Sequence, residues 1–437
     1  ILYPLSYSRT LQDRRIVEGL QGVDGYNRRL IPRRQPTFED TMSDNSQAPA
    51  HEEDHTGPIK NPKQLLLAVF FSFVAPVFII IGLVYFVTSD NKPVAGAVNL
   101  EKAVAERGVT RPNFIKPETG HPAFDKACHL FGIELRKAPV DPETTLVDVD
   151  WVRANIDDQT IGFMGSACNY GYGTIDPIEQ LSDLAVETGV PLHVDGCLGG
   201  FILPFGQELG FPNIPLFDFR LPGVTSISAD THKYGYAFKG TSTVLFRDKS
   251  WRNSQYFFLT DWTGGKYTSP GMDGSRSGGL LAATWASMVQ LGREGYRKYA
   301  QAIFETSAAM QDAVRSHPEL RILGAPSFLF SFTSDEFDVY HINDFMRPKG
   351  WRFNGQQYPN ALHMAVTRPQ TQEGVVEAFV ADLAEAVVYA KEKGHEPAAS
   401  GAIYGGVAGG MNDEADEFIK MVMASMLDEQ QALPPLS

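Results

Sequence analysis

From Leu65 to Val87 the chain reads LLLAVFFSFVAPVFIIIGLVYFV, with no charged side chain. A helix of that length reaches across a hydrocarbon layer of roughly 30 Å, so one transmembrane helix is expected over residues 63–89. A buried core helix would carry a polar stripe, which Ser72 and Tyr85 do not supply, and Pro76 is better tolerated in lipid. Residues 1–62 are polar and turn-rich, with Arg28, Arg29, Arg33 and Arg34 ahead of the acidic run MSDNSQAPAHEEDHTGP, and read as a disordered arm. Residues 90–117 read as a hydrophilic stalk or linker.

From about Asn113 onward short apolar runs alternate with amphipathic stretches, the pattern of an α/β fold with a mainly parallel sheet. IGFMGSA, PLHVDGCLG, VTSISAD and TSTVLFRD read as strands, and IEQLSDLAVETG as the helix between the first two. A long helix is expected over AATWASMVQLGREGYRKYAQAIFETSAAMQDAVRS. SFLFSFTSD alternates Phe328, Phe330 and Phe332 as a half-buried strand would, and ALHMAVT reads as a further strand. A helix over 373–391 places Val376, Phe379, Val380, Leu383 and Val387 on one face, to cover a small sheet. The expected division is a large domain over 118–310 and a small α+β domain over 311–437.

Composition narrows the function. A net charge of -14, from 38 basic and 52 acidic side chains, excludes a nucleic-acid partner that would need a dense basic surface. Three cysteines, Cys128, Cys168 and Cys197, show neither a CxxC pair nor zinc spacing, so no metal site and no disulfide framework is expected. They suit a reducing compartment and place the soluble part on the cytoplasmic side of a single-pass membrane protein. The basic residues flanking the span are nearly balanced and do not orient it.

Two strand exits carry candidate chemistry. SADTHKYGYAFKGTS delivers Asp230, His232, Lys233 and, after a glycine-containing loop, Lys239. A lysine desolvated beside another cation has a lowered pKa, and its neutral amine attacks a carbonyl to form a Schiff base. A solvated loop with surface lysines is the alternative. In PLHVDGCLGG, His193 and Asp195 lie two apart on one face of a strand that ends in a glycine-rich turn. A carboxylate there would keep a buried pyridinium nitrogen protonated, or would merely cap the turn.

HVDGCLGGF followed by SADTHKYGYAFKG resembles the sphingosine-1-phosphate lyase group of pyridoxal-phosphate enzymes, within the fold-type I decarboxylase and aminotransferase superfamily. GHPAFDKACHLFGI, GSACNYGYGTIDPIEQLSDLA, WRNSQYFFLTDWTGGKYTSPGMDGSRSGG and GAIYGGVAGG continue the resemblance in order, from about Gly120 to about Ala432. It implies pyridoxal 5'-phosphate as cofactor, with Lys233 as the lysine that binds it covalently and Asp195 as the partner of its ring nitrogen. His121 would stack on the ring and His232 would lie near the phosphate. Lys239 would be a second acid/base, and Tyr170 and Tyr172 would line the substrate site. The loop at Gly274 and Ser275 would reach a partner's phosphate group, which implies a homodimer.

The implied reaction is retro-aldol cleavage of a phosphorylated sphingoid base, a lipid-like amine, to a long-chain aldehyde and phosphoethanolamine. A membrane anchor fits such a substrate. The related reading is a group II amino-acid decarboxylase. The family's phosphate-binding turn upstream of the stacking histidine has no counterpart, so the fold-type I large domain is expected to be incomplete. The anchor looks unrelated to the family. Weak cofactor binding unless a partner completes the site, or a non-catalytic membrane-tethered remnant, is the corresponding expectation.

Overall fold

The computed structural model describes residues 108–401 and 413–431. The arm, the apolar run 63–89 read as a membrane span, the linker as far as residue 107 and the segment 402–412 lie outside the described residues. Among the described residues no helix is long and apolar enough to cross a membrane.

Strands and helices alternate through the first half: β1 (Asn113–Pro117), α1 (Ala123–Phe131), β2 (Glu134–Ala138), α2 (Val149–Asn155), β3 (Thr160–Ser166), α3 (Ile178–Thr188), β4 (Leu192–Asp195), α4 (Leu203–Leu209), β5 (Val224–Ala229) and β6 (Thr243–Phe246). They build a six-stranded sheet in the order β2-β1-β3-β4-β5-β6. The first five strands run parallel, as helical crossovers require, and β6 returns antiparallel to β5. The middle of the sheet is buried on both faces. Phe163, Leu192, Val194 and Val224 are fully covered, and α3 adds Ile178, Leu181 and Leu184. Each such side chain contributes about 1.5–3 kcal/mol through removal from water. At the far edge, β6 leaves Val244 and Leu245 54% and 49% exposed, so the apolar sheet is uncovered on that side.

β1 lies inside the stretch read as a linker. Its buried Asn113 and Lys116 break the apolar pattern, and both find polar partners. The Asn113 amide donates to Asp157 Oδ1 at 2.9 Å. Because β1 is followed by β2 on one side and β3 joins on the other, the carboxyl ends of β1 and β3 diverge at a topological switch point, where open α/β sheets form a crevice.

After a short helix α5 (Lys249–Asn253) and the hairpin β7 (Phe257–Leu259) and β8 (Tyr267–Ser269), α6 (Gly278–Arg315) runs into the second half. It is kinked at Gly292 (φ 58, ψ 178), a backbone setting a side chain would strain. Its first part leaves Leu281, Trp285 and Val289 exposed; its second part buries Ile303, Phe304, Met310 and Val314. β9 (Arg321–Ile322), β10 (Leu329–Thr333), β11 (Asn354–Gln356) and β12 (Ala361–Ala365) form an antiparallel sheet in the order β11-β12-β10-β9, with α7 (Tyr340–Met346) and α8 (Val375–Lys393) packed together beside it. The helix α9 (Asp413–Gln431) follows.

Two details differ from the pattern read in the sequence. β10 is buried on both faces, since Leu329 and Ser331 are as inaccessible as Phe330 and Phe332. Its second face meets the loop after β3, where a Cβ on Gly173 (φ +75) would lie 1.9 Å from the Leu329 carbonyl oxygen. On α8 the buried stripe is Phe379, Leu383, Ala386, Val387 and Ala390, while Val380 faces outward.

His363 on β12 is buried, with Nε2 against the Asn354 amide at 3.2 Å, the Tyr170 ring edge-on at 4.6 Å, and Nδ1 without a hydrogen-bond partner. Burial pushes it from the ordinary 6.5 down to about 4. Between those values the unfolded chain takes up a proton that the folded chain refuses, so stability falls as pH drops through this window, by about 3 kcal/mol from this group. In His363→Gln, chemical denaturation at a series of pH values should show a shallower loss of stability by that amount. An unchanged slope would count against the assignment.

Candidate active site

The carboxyl ends of the parallel strands deliver the sequence-predicted residues to one crevice. β1 leads into His121, β3 into the loop bearing Tyr170 and Tyr172, β4 ends at Asp195, and β5 leads into Asp230 and Lys233. Asp195 is buried, and its Oδ1 accepts from the Cys197 N–H at 3.0 Å and the Ser228 hydroxyl at 2.9 Å. Burial alone would raise this carboxyl; the Cys197 and Ser228 hydrogen bonds and neighbouring His193 outweigh it and hold Asp195 below the usual carboxylate range. The charge is therefore kept inside the fold at neutral pH.

Lys233 stands across Cys197 from that carboxylate. Its Nζ is 3.0 Å from Cys197 Sγ and 2.9 Å from Asp230 Oδ2. The loop is pinned by Tyr234, whose hydroxyl donates to the Val366 carbonyl at 2.8 Å, and by Tyr296, which donates to Gly235 O at 2.8 Å. The lowered lysine pKa expected from the sequence is reversed. Burial does lower it, but Cys197 and Asp230 raise it further, so the amine is held above its ordinary value. Asp230 lies three residues before Lys233, and an i, i+3 carboxylate was a signal available in the sequence. Cys197, which the sequence offers only as one of three cysteines without metal spacing, is the residue between the two charged groups; burial pushes its thiol up to about 12.

His121 completes the group. Its Nδ1 accepts from the Ala123 N–H at 3.1 Å, which fixes the ring at the start of α1. Burial lowers its pKa, the charge of Asp195 opposes that and the charge of Lys233 adds to it, so all three side chains share one field. Tyr172 borders the same turn. Burial and then Glu118 raise its phenol, and its hydroxyl donates to the Tyr358 carbonyl at 3.2 Å. Tyr170 packs on His363 of the antiparallel sheet.

The remaining candidates stand further out. His232 lies with Nδ1 3.0 Å from Thr241 O, and lines a cavity of about 1040 Å³ together with Thr241, Ser242, Ser275 and Arg276. Ser275 thus faces the same space as His232 of its own chain, with Gly274 preceding it. Lys239 is exposed on the loop beyond.

Residues 97–328 match the family model described as the pyridoxal-dependent decarboxylase conserved domain. The chain is 44% identical over 327 residues to sphingosine-1-phosphate lyase of Arabidopsis thaliana, which covers 74% of this chain and 59% of that protein. It is also 44% identical over 268 residues to sphingosine-1-phosphate lyase of Saccharomyces cerevisiae, covering 61% and 46%. The chain thus spans about three fifths, or less, of these curated relatives. The solved sphingosine-1-phosphate lyase Bpss2021 of Burkholderia pseudomallei matches with a TM-score of 0.70 and 56% identity, over 76% of this chain and 71% of that one. A glutamate decarboxylase of Lactobacillus brevis, at 23% identity and a TM-score of 0.58, shares the fold.

The crevice suits the cofactor these matches imply. A buried ionised carboxylate and an amine meet around Cys197, and the His121 imidazole lies within their field, the set of groups that a flat aromatic aldehyde with a basic ring nitrogen requires. The chain belongs to the pyridoxal-dependent decarboxylase family, its cofactor is pyridoxal 5'-phosphate, and its relatives there include sphingosine-1-phosphate lyases.

Proposed function

We propose that the protein is a carbon–carbon lyase that splits phosphorylated sphingoid bases into a long-chain aldehyde and phosphoethanolamine. The observation that carries this reading is the convergence of Lys233 and Asp195 on Cys197, in a chain whose relatives are lyases of that name. When bound, pyridoxal phosphate supplies the electron sink for the bond that breaks.

Lys233 would attach the cofactor through its amine, Asp195 would hold the ring nitrogen protonated, and His121 would lie against the ring. His232 with Thr241, and Ser275 after Gly274, would suit a phosphate in the cavity that they line. Lys239, on the exposed loop beyond, would serve as a second acid/base, and Tyr172, whose phenol burial raises, would keep its own proton and orient the substrate. Tyr170, packed edge-on against His363 of β12, would line the substrate site beside Tyr172.

A homodimer is part of the proposal, supported by the exposed Phe238, Trp262, Leu281, Trp285 and Val289, which crowd one stretch of chain. So is attachment to a membrane through Leu65–Val87, which suits a substrate with a lipid tail.

The test is product analysis. Incubated with pyridoxal phosphate and a phosphorylated sphingoid base, the full chain should release long-chain aldehyde and phosphoethanolamine in equal amounts. Release of carbon dioxide from amino acids instead, with no aldehyde, would overturn the reading in favour of a decarboxylase.

A further inference from the structure

Lys116 is a charge at a place where the fold has no packing need of one. It lies on β1, between β2 and β3, and its side chain is 3% exposed. An isolated ammonium buried there would be costly, so its partners define its role. Nζ donates to the Gly120 carbonyl at 2.7 Å and forms an ion pair with Asp125. Asp125 sits in the first turn of α1 and is shared with Lys137 of β2 at 2.8 Å. Burial would raise the Asp125 carboxyl, but the two lysines outweigh it and hold it below the ordinary range.

These contacts flank His121 on both sides. The Gly120 carbonyl belongs to the peptide that leads into His121, in a turn closed by the Gly120 N–H on the Pro117 carbonyl at 2.9 Å. Asp125 belongs to the helix that follows and whose Ala123 N–H holds the imidazole. The turn is tight: a Cβ on Gly120 would lie 3.0 Å from Pro117 O and 3.4 Å from Lys116 Cδ.

We infer that Lys116 is a positioning residue, which ties the peptide before His121 to the helix after it and so sets the imidazole against the cofactor ring. This rests on the reading of His121 as the residue that covers that ring. The ammonium acts electrostatically as well: after burial, and together with Lys233, it adds to the lowering of the His121 pKa. An ion pair of structural value alone would change stability and leave the imidazole as it was.

The experiment compares the full chain with Lys116→Met and Lys116→Arg. In the protein without added cofactor, NMR titration of His121 should move to higher pH in Lys116→Met by a few tenths of a unit and stay near the parent in Lys116→Arg. Pyridoxal phosphate affinity, followed by the visible circular dichroism band, should weaken roughly tenfold in Lys116→Met. Should Lys116→Met fail to fold, Asp125→Asn, at a partly exposed site, frees α1 from Lys116 and should loosen the cofactor in the same sense. A folded Lys116→Met with an unchanged His121 titration and unchanged affinity overturns the inference. His121→Ala separates the two readings: if it leaves cofactor affinity and the dichroism band intact, the ring-covering role is wrong, and the His121 titration in Lys116→Met still decides the positioning role.

Discussion

Lys233→Arg is expected to fold, to lose turnover by at least about 10³-fold, and to yield no covalent cofactor adduct after borohydride reduction. Arginine keeps a positive charge opposite Asp230, whose carboxylate lies 2.9 Å from the lysine amine, so the ion pair that organises the loop survives. The guanidinium cannot shed its proton and cannot act as an amine nucleophile. Mass spectrometry of the reduced parent protein should place the adduct on the peptide containing Lys233. An adduct on Lys239, or turnover by Lys233→Arg within tenfold of the parent, would assign the chemistry elsewhere.

Asp195→Asn should reduce turnover by roughly 10²–10³-fold with little change in the fold. An asparagine Oδ1 can still accept from the Cys197 N–H and the Ser228 hydroxyl, so the local geometry is retained while the charge is lost. Because the native carboxyl is held below the ordinary 3.8, it is mostly ionised at any pH above that value. Any acid limb of the parent rate profile above that value then belongs to another group. The stability this carboxylate adds is present above its unfolded pKa and is lost only as pH falls through its lower folded value. Steady-state kinetics of the variant at neutral pH, beside its thermal melt, separates loss of charge from loss of structure; a rate near that of the parent would refute the ring-nitrogen role.

The strands that carry Asp195 and Lys233 were legible because they are short apolar runs ended by glycine or by a polar turn. β1 was not, since a strand inside the sheet containing Asn113 and Lys116 depends on Asp157, Asp125 and the Gly120 carbonyl, which lie 44, 9 and 4 residues away. The same blindness to distant partners made β10 look half-buried: the loop at Gly173 and the Gln356 side chain that Ser331 bonds come from elsewhere in the chain. The candidate residues were readable as a set, whereas their protonation was not. His232 and Lys239 suggested a cationic surrounding for Lys233, yet Asp230 and Cys197 are the groups within reach.

The outer strand β6 has a consequence for how the molecule meets its surroundings. Its inner backbone groups pair with β5, and among the described residues no strand takes up the other side. An open ladder flanked by Val244 and Leu245 is a template for whatever extended chain reaches it, whether from elsewhere in the same polypeptide or from a neighbour. Amide exchange along Thr243–Phe246 is thus a gauge of company: fast while the edge meets only water, slow once a further strand has joined it.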